Sequence, residues 1–281
     1  MVVERKMNRR VRTIAFLIFS GCFVCCKTQH LIPDPEKETI HGRPYAYAEH
    51  EYTASKGSVQ TFFSVQHAVV QYDRHRKKIS EVRFDADTNV TAMWFFQYDE
   101  KGRLKEEKWL NADSSVAYRI EYGYKKSRLT KEEHYASGNV FEKYFLYEYS
   151  SRGRLMAKHV YNREGTLIQL IRYQYHPAEI HELFFSSDSI LQSEVRYETD
   201  KRKRLLKITE YDGKGQFLSC VVYRYDRKWN VVEKTEEEEG EITKKLYYYH
   251  YEFDRKGNWL MKVELKNNIP STIILREYEY F

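Results

Sequence analysis

The sequence predicts an all-β protein: an antiparallel meander of about eight stacked β-hairpin repeats, twisted or curled into one sheet, with little helix. Three observations predict it. An anchor residue returns at Tyr72, Tyr98, Tyr124, Tyr149, Tyr175, Thr199, Tyr225 and Phe253, at intervals of 24 to 28 residues. The residues before each anchor alternate in polarity, and a turn signal follows it. No long stretch between Tyr98 and Phe281 carries apolar residues at helical spacing.

Each unit is read in chain order. In Tyr118-Arg119-Ile120-Glu121-Tyr122-Gly123-Tyr124 apolar side chains take every second position, which places them on one face of a strand. Tyr247, Tyr249, Tyr251 and Phe253 form a similar aromatic row. Such side chains suit a pleated, half-buried surface. After the anchor, Asp or Ser opens a turn by bonding back to the backbone, and Gly closes it with a positive φ. A return strand starts at Leu104, Leu129, Leu155 and Leu205. A second turn ends the unit, as at Ser137-Gly138, Glu164-Gly165, Gly213-Lys214-Gly215 and Asn267-Asn268. A lone hairpin is marginal in water, so neighbouring hairpins must bury each other's aromatic rows.

The segments Tyr98-Asp99-Glu100-Lys101-Gly102-Arg103-Leu104 and Tyr149-Ser150-Ser151-Arg152-Gly153-Arg154-Leu155 resemble the RHS (YD) repeats of bacterial surface and secreted proteins. So do the degenerate copies at Thr199 to Leu205 and Phe253 to Trp259. The resemblance covers about Tyr72 to Phe281 and implies a β-hairpin repeat fold. Lys125 in place of Asp, His176-Pro177 at a turn opening and Trp229-Asn230 in place of Gly-Arg depart from it and mark modified turns. Long members of that family wind into a shell around a toxin. Eight units are too few for such a shell, so that function is not carried over.

The N-terminus reads as a secretory signal over residues 1–21. Arg9, Arg10 and Arg12 form a basic flank, and Thr13 to Phe19 an apolar core too short to span a bilayer. Ser20-Gly21-Cys22 resembles the bacterial lipobox, although Phe19 is unusual there; the resemblance implies acylation of Cys22. Residues 22–49, with Pro33, Pro35 and Pro44, read as a lipid-anchored tether, and residues 50–281 as the repeat domain with an atypical N-terminal cap. The expected location is the bacterial envelope, on the outer membrane, facing periplasm or exterior. Removing residues 1–21 lowers the net charge from +6 to +2, so the basic balance is largely a targeting signal and gives no argument for nucleic acid. Cys22, Cys25 and Cys26 cluster at the lipid site, and Cys220 reads as a packed strand residue; neither a disulfide framework nor a zinc spacing results.

In a meander, alternate turns fall on opposite edges. The turns after the anchors carry Arg74, Arg76, Lys77, Lys78, Lys101, Lys125, Lys126, Arg152, Lys201, Arg202, Lys203, Arg227, Lys228, Arg255 and Lys256. The opposite turns carry Asp85, Asp87, Asp113, Glu164, Asp188, Asp212 and the run Glu236 to Glu239. One rim should therefore be basic and the other acidic or neutral. Solvated turn tips explain this in part; the functional reading is a basic rim facing an anionic partner such as phosphate-bearing lipid or acidic glycan.

Other signals are weaker. The aromatic rows suit packing first and sugar or peptide contact second. Tyr278 to Phe281 offers a sheet edge for strand addition, unless Glu277 and Glu279 protect it. Asp188-Ser189-Ile190 matches a short O-glycosylation motif at Ser189. His176 and His181, with Glu179 and Glu182, lack zinc-protease spacing and fall at an expected turn. The run Glu236 to Glu239 lacks calcium-loop spacing. The expectation is a non-enzymatic, lipid-anchored binding or scaffold protein without metal or cofactor, partnered by a membrane and by a protein or glycan. The alternative is an immunity or accessory protein for a secreted toxin, and an enzyme comes third.

Overall fold

The computed structural model describes residues 34–35, 40–55 and 61–281. Residues 1–21, Cys22 and most of the expected tether lie outside the described residues. The strands are β1 Pro44–Ala54, β2 Phe62–Tyr72, β3 Lys78–Asp85, β4 Val90–Tyr98, β5 Leu104–Asn111, β6 Val116–Lys125, β7 Arg128–Ala136, β8 Val140–Tyr149 and β9 Leu155–Asn162. They continue as β10 Leu167–Tyr175, β11 Glu179–Ser186, β12 Leu191–Thr199, β13 Leu205–Asp212, β14 Phe217–Tyr225, β15 Val231–Glu238, β16 Lys245–Phe253, β17 Trp259–Lys266 and β18 Ile269–Tyr280. Among the described residues the one helical element is a 3₁₀ turn at Ser137–Asn139.

Every strand pairs antiparallel with its sequence neighbours, and β1 pairs with both β2 and β18. The sheet is thus a closed 18-stranded barrel. Three expectations are corrected. The eight hairpins lie side by side as β2 to β17 and do not end as an open curled sheet. Residues 44–49, read as tether, belong to β1, where the Pro44 side chain is buried. Tyr278 to Tyr280 offers no edge, because β1 covers it.

The physical cause recurs at seven of the eight anchors, Tyr175 in β10 being the exception. The register shifts at the anchors, between Gln71 and Tyr72, Gln97 and Tyr98, Gly123 and Tyr124, Glu148 and Tyr149, Glu198 and Thr199, Arg224 and Tyr225, and Glu252 and Phe253. A bulge bends its strand and increases local twist. Summed over the sheet, these bends bring β18 to β1, and closure removes both edges.

The turns hold as the residue types demand. Gly102 N–H donates to the Asp99 carbonyl and Asp99 N–H to the Arg103 carbonyl, both at 2.8 Å. The Asp99 carboxylate accepts the Arg103 N–H, also at 2.8 Å. Gly102 takes φ 75° there, a conformation open to glycine without steric cost.

The anchors staple one hairpin to the next. The hydroxyls of Tyr98, Tyr124, Tyr149 and Tyr175 donate to the carbonyls of Lys78, Leu104, Leu129 and Leu155, each at 2.8 Å, and Tyr225 donates to Leu205 at 2.7 Å. The Arg of each Gly-Arg-Leu element, and of its degenerate copy Lys203-Arg204-Leu205, lies over the next anchor ring: Arg103 over Tyr124 at 4.3 Å, Arg154 over Tyr175 and Arg204 over Tyr225 at 5.3 Å. Phe253 keeps the register but has no hydroxyl. Tyr251, two residues earlier, donates to the Val231 carbonyl at 3.0 Å instead.

Closure gives each strand an inner and an outer face. Val70, Phe96, Leu129, Val160, Tyr173 and Leu205 are buried on one face, which is the inside. This wall also buries hydrogen-bonded carboxylates. Glu182 accepts from Tyr173 at 2.5 Å and Tyr197 at 2.9 Å, and Glu132 accepts from Tyr147 at 2.6 Å. The opposite face carries charges at mid-strand. Lys108 and Arg119 each lie 3.2 Å from Glu106, Lys131 lies 2.8 Å from Glu133, Arg196 2.8 Å from Glu194 and Lys207 3.0 Å from Glu198. A barrel in lipid carries an apolar band at that level. Cys220 is buried in β14 with its thiol free.

Candidate ligand-binding mouth

The topology sorts the turns as alternation requires. All turns that follow anchors lie on one rim, because they join even-numbered strands to the odd ones after them. Arg74, Arg76, Lys125, Lys126, Lys201, Lys203, Arg227 and Arg255 are exposed there. Asp73, Asp200, Asp226 and Asp254 each accept N–H groups of their own turn, and among the described residues none forms an ion pair with these eight cations. These hydrogen bonds, together with the Arg204 pair, outweigh burial and hold Asp200 below the usual carboxylate range.

Several basic residues have additional structural partners. Lys77 lies over Tyr98 at 4.9 Å, Lys228 over Phe253 at 5.0 Å and Lys256 over Tyr280 at 3.0 Å. Lys78 pairs with Glu81 on the inner wall, and Arg202 lies 5.9 Å from the Trp229 ring centre.

From this rim a cleft of about 750 Å³ descends along the inner wall of β14 to β18. Tyr223, Tyr225, Trp229, Tyr249, Tyr251, Phe253, Trp259 and Tyr278 line it. Its cations are Lys203, Arg204, Lys228, Lys234, Lys256 and Lys262. Arg204 is 2.6 Å from Asp200, and Lys234 is 2.9 Å from Glu236. The other four have no ion pair among the described residues. Lys262 lies 4.9 Å over Tyr249. Burial raises the Tyr225 hydroxyl to about 12; Arg204 opposes this, whereas Asp200 and Asp34 add to it. The Trp259 indole N–H is buried without an acceptor among the described residues.

Asp34, Pro35, Ile40 and His41 close one side of the cleft. His41 N–H donates to the Asn258 side-chain oxygen at 2.6 Å, and the Asn258 amide donates to the His41 carbonyl at 3.0 Å. The chain before β1 is thereby pinned to the basic rim.

The other sequence candidates are dispersed. Ser189 is exposed at a turn of the opposite rim, with φ 65°. His176 lies in a turn, but His181 lies within β11, correcting its turn assignment; its ring is 2.9 Å from Glu194 and 3.0 Å from Glu179. Glu236, Glu237 and Glu238 pair with Lys234, Lys244 and Lys245. Among the described residues no three His, Cys, Asp or Glu side chains gather around a metal position. Sequence reasoning missed the cleft as a unit. Its visible traces were Trp229 at a glycine position and the aromatic row ending at Phe253.

Fold and site define a class: a closed antiparallel barrel of stapled hairpins with an aromatic and cationic mouth at one rim. No protein-family model matches the chain, and no curated protein sequence matches it. Among solved structures it is similar to a porin-like protein from Bacteroides uniformis, at 8% identity over 85% of this chain and 98% of that chain, with TM-score 0.41. A porin-like protein from Bacteroides vulgatus matches at 12% identity over 82% and 98% of the respective chains, with TM-score 0.37. The Tc holotoxin pore of Photorhabdus luminescens matches at 9% identity over 76% of this chain and 15% of that one, with TM-score 0.33. At these scores the likeness assigns neither family nor function.

Proposed function

We propose that this protein is a non-enzymatic, lipid-anchored envelope protein that binds an acidic glycan through the basic rim of its barrel. The observation that carries the reading is the one-sided rim, whose cations stay exposed while its aspartates are bound within their own turns. Clustered cations concentrate anions within a Debye length, about 8 Å at physiological ionic strength. A glycan is favoured over a lipid surface because the same rim leads into a cleft walled by aromatic rings. Tyr and Trp present flat apolar faces with polar tips, which suits sugars. The stapling of Tyr hydroxyls to the preceding hairpins supports kinship with RHS (YD) repeats. The sequence from Arg9 to Cys22 supports export and acylation at Cys22.

Binding to acidic polysaccharide is tested at low and raised salt, with anionic liposomes as the second arm. The expected result is salt-sensitive polysaccharide binding that falls at least tenfold when Lys201, Arg227 and Arg255 are all changed to Glu. Salt-insensitive binding, binding to liposomes alone or no effect of the triple variant overturns the reading. For the anchor, Cys22→Ser should abolish lipid labelling and release the protein from membranes.

A further inference from the structure

Trp229 is the most anomalous residue on the basic rim. It occupies the left-handed turn position, with φ 78°, where Gly102, Gly153 and Gly257 stand in three equivalent turns and the flexible side chains of Arg76 and Lys203 in two others. L-residues with bulky side chains are strained there. It is also 49% exposed, so packing does not repay the strain in full. Yet its ring is held: Arg204 lies 5.1 Å from the ring centre and is itself fixed 2.6 Å from Asp200. Strain kept by its surroundings, at the lip of a cleft, is the pattern of a positioned contact.

The chemistry below the lip is complementary. Lys228 and Lys262 line the cleft without carboxylate partners among the described residues. The Trp259 N–H, buried in its wall, has no acceptor among the described residues, and buried donors are ordinarily satisfied. The Trp229 ring face and the two ammonium groups, which rest over the Phe253 and Tyr249 rings, suit the C–H face and the carboxylate of one acidic pyranose.

We infer that this cleft is the sugar-reading subsite, with Trp229 stacking on an acidic pyranose whose carboxylate meets Lys228 and Lys262. The inference rests on the rim reading above and narrows it to a site and a sugar type.

The test titrates the full barrel with an oligogalacturonate tetramer, following tryptophan fluorescence, against neutral maltotetraose and inorganic phosphate. A saturable change with the acidic tetramer only is expected. Trp229→Gly should weaken binding at least tenfold while raising Tm, because the backbone strain is relieved. A loss of binding with raised Tm cannot come from misfolding. Lys262→Gln should weaken binding similarly, and Lys214→Glu on the opposite rim should not. Unchanged affinity in Trp229→Gly, equal binding of maltotetraose, or a full response to phosphate overturns the inference. Loss in the rim triple variant with unchanged Trp229→Gly would remove the cleft alone; unchanged binding in both would remove the rim reading as well.

Discussion

Thr88 shows at one residue what the turns demand. It takes φ 66° in the turn between β3 and β4, where its N–H donates to the Asp85 carbonyl at 3.1 Å. An L-residue in that region costs about 1–2 kcal/mol, and glycine gives back about 0.5–1 kcal/mol in chain entropy. Thr88→Gly should therefore stabilise by up to about 1 kcal/mol, seen as a Tm rise of about 2–4 °C. Gly213 is the converse: a Cβ there would lie 2.1 Å from the Leu191 carbonyl oxygen. A second residue-scale test concerns Glu107. Burial raises its pKa from 4.5 to about 7, with Tyr122 opposing and Glu132 assisting. The raised value favours the protonated fold. The contribution is full below pH about 4.5 and is lost as pH rises through about 7, amounting to about 3 kcal/mol. Glu107→Gln should raise urea stability at pH 8 and leave it nearly unchanged at pH 4.

At the scale of the element, the unit is a hairpin stapled to its predecessor. Tyr175 in β10 closes over the first residue of β9, Leu155, which is 5% exposed. Removing the hydroxyl strands that carbonyl, at a cost of about 1–3 kcal/mol. Tyr175→Phe should lower the urea midpoint accordingly, with faster amide exchange in β9 and β10. Tyr251 shows that the hydroxyl matters more than the anchor position, since it keeps the bond where Phe253 cannot. The period, the alternation and the turn types were legible because they are local to some 25 residues. The Arg-on-Tyr stacking was not. It joins residues 21 positions apart, such as Arg103 and Tyr124, which belong to consecutive hairpins and meet only once those hairpins pair.

At the scale of the molecule, closure depends on the seam of β1 with β18. Arg276 there is buried, donates to Glu49 at 2.7 Å and lies 3.7 Å from the Trp259 ring centre. Removing one partner of a buried pair costs about 3–5 kcal/mol. Arg276→Ala should destabilise by about that amount, with hydrogen exchange rising first in β1 and β18. The charged outer face carries a separate prediction. Protein lacking residues 1–26 should remain monodisperse in buffer without detergent, as judged by light scattering. A requirement for detergent would mean that the face with Glu106, Lys108 and Arg119 is not the outer one.

The sequence by itself determined the repeat, the strand character, the turn chemistry and the sorting of the turns onto two rims. Each follows from φ preferences and side-chain alternation within one unit. The tertiary structure alone decided that the sheet closes, that Pro44 to Glu49 is wall and not tether, and which face is inside. Closure is the sum of small bends at every anchor bulge, and no single unit contains it. The cleft belongs to the same level: β13 to β18 and the strap at His41 meet there only because the two ends of the chain pair.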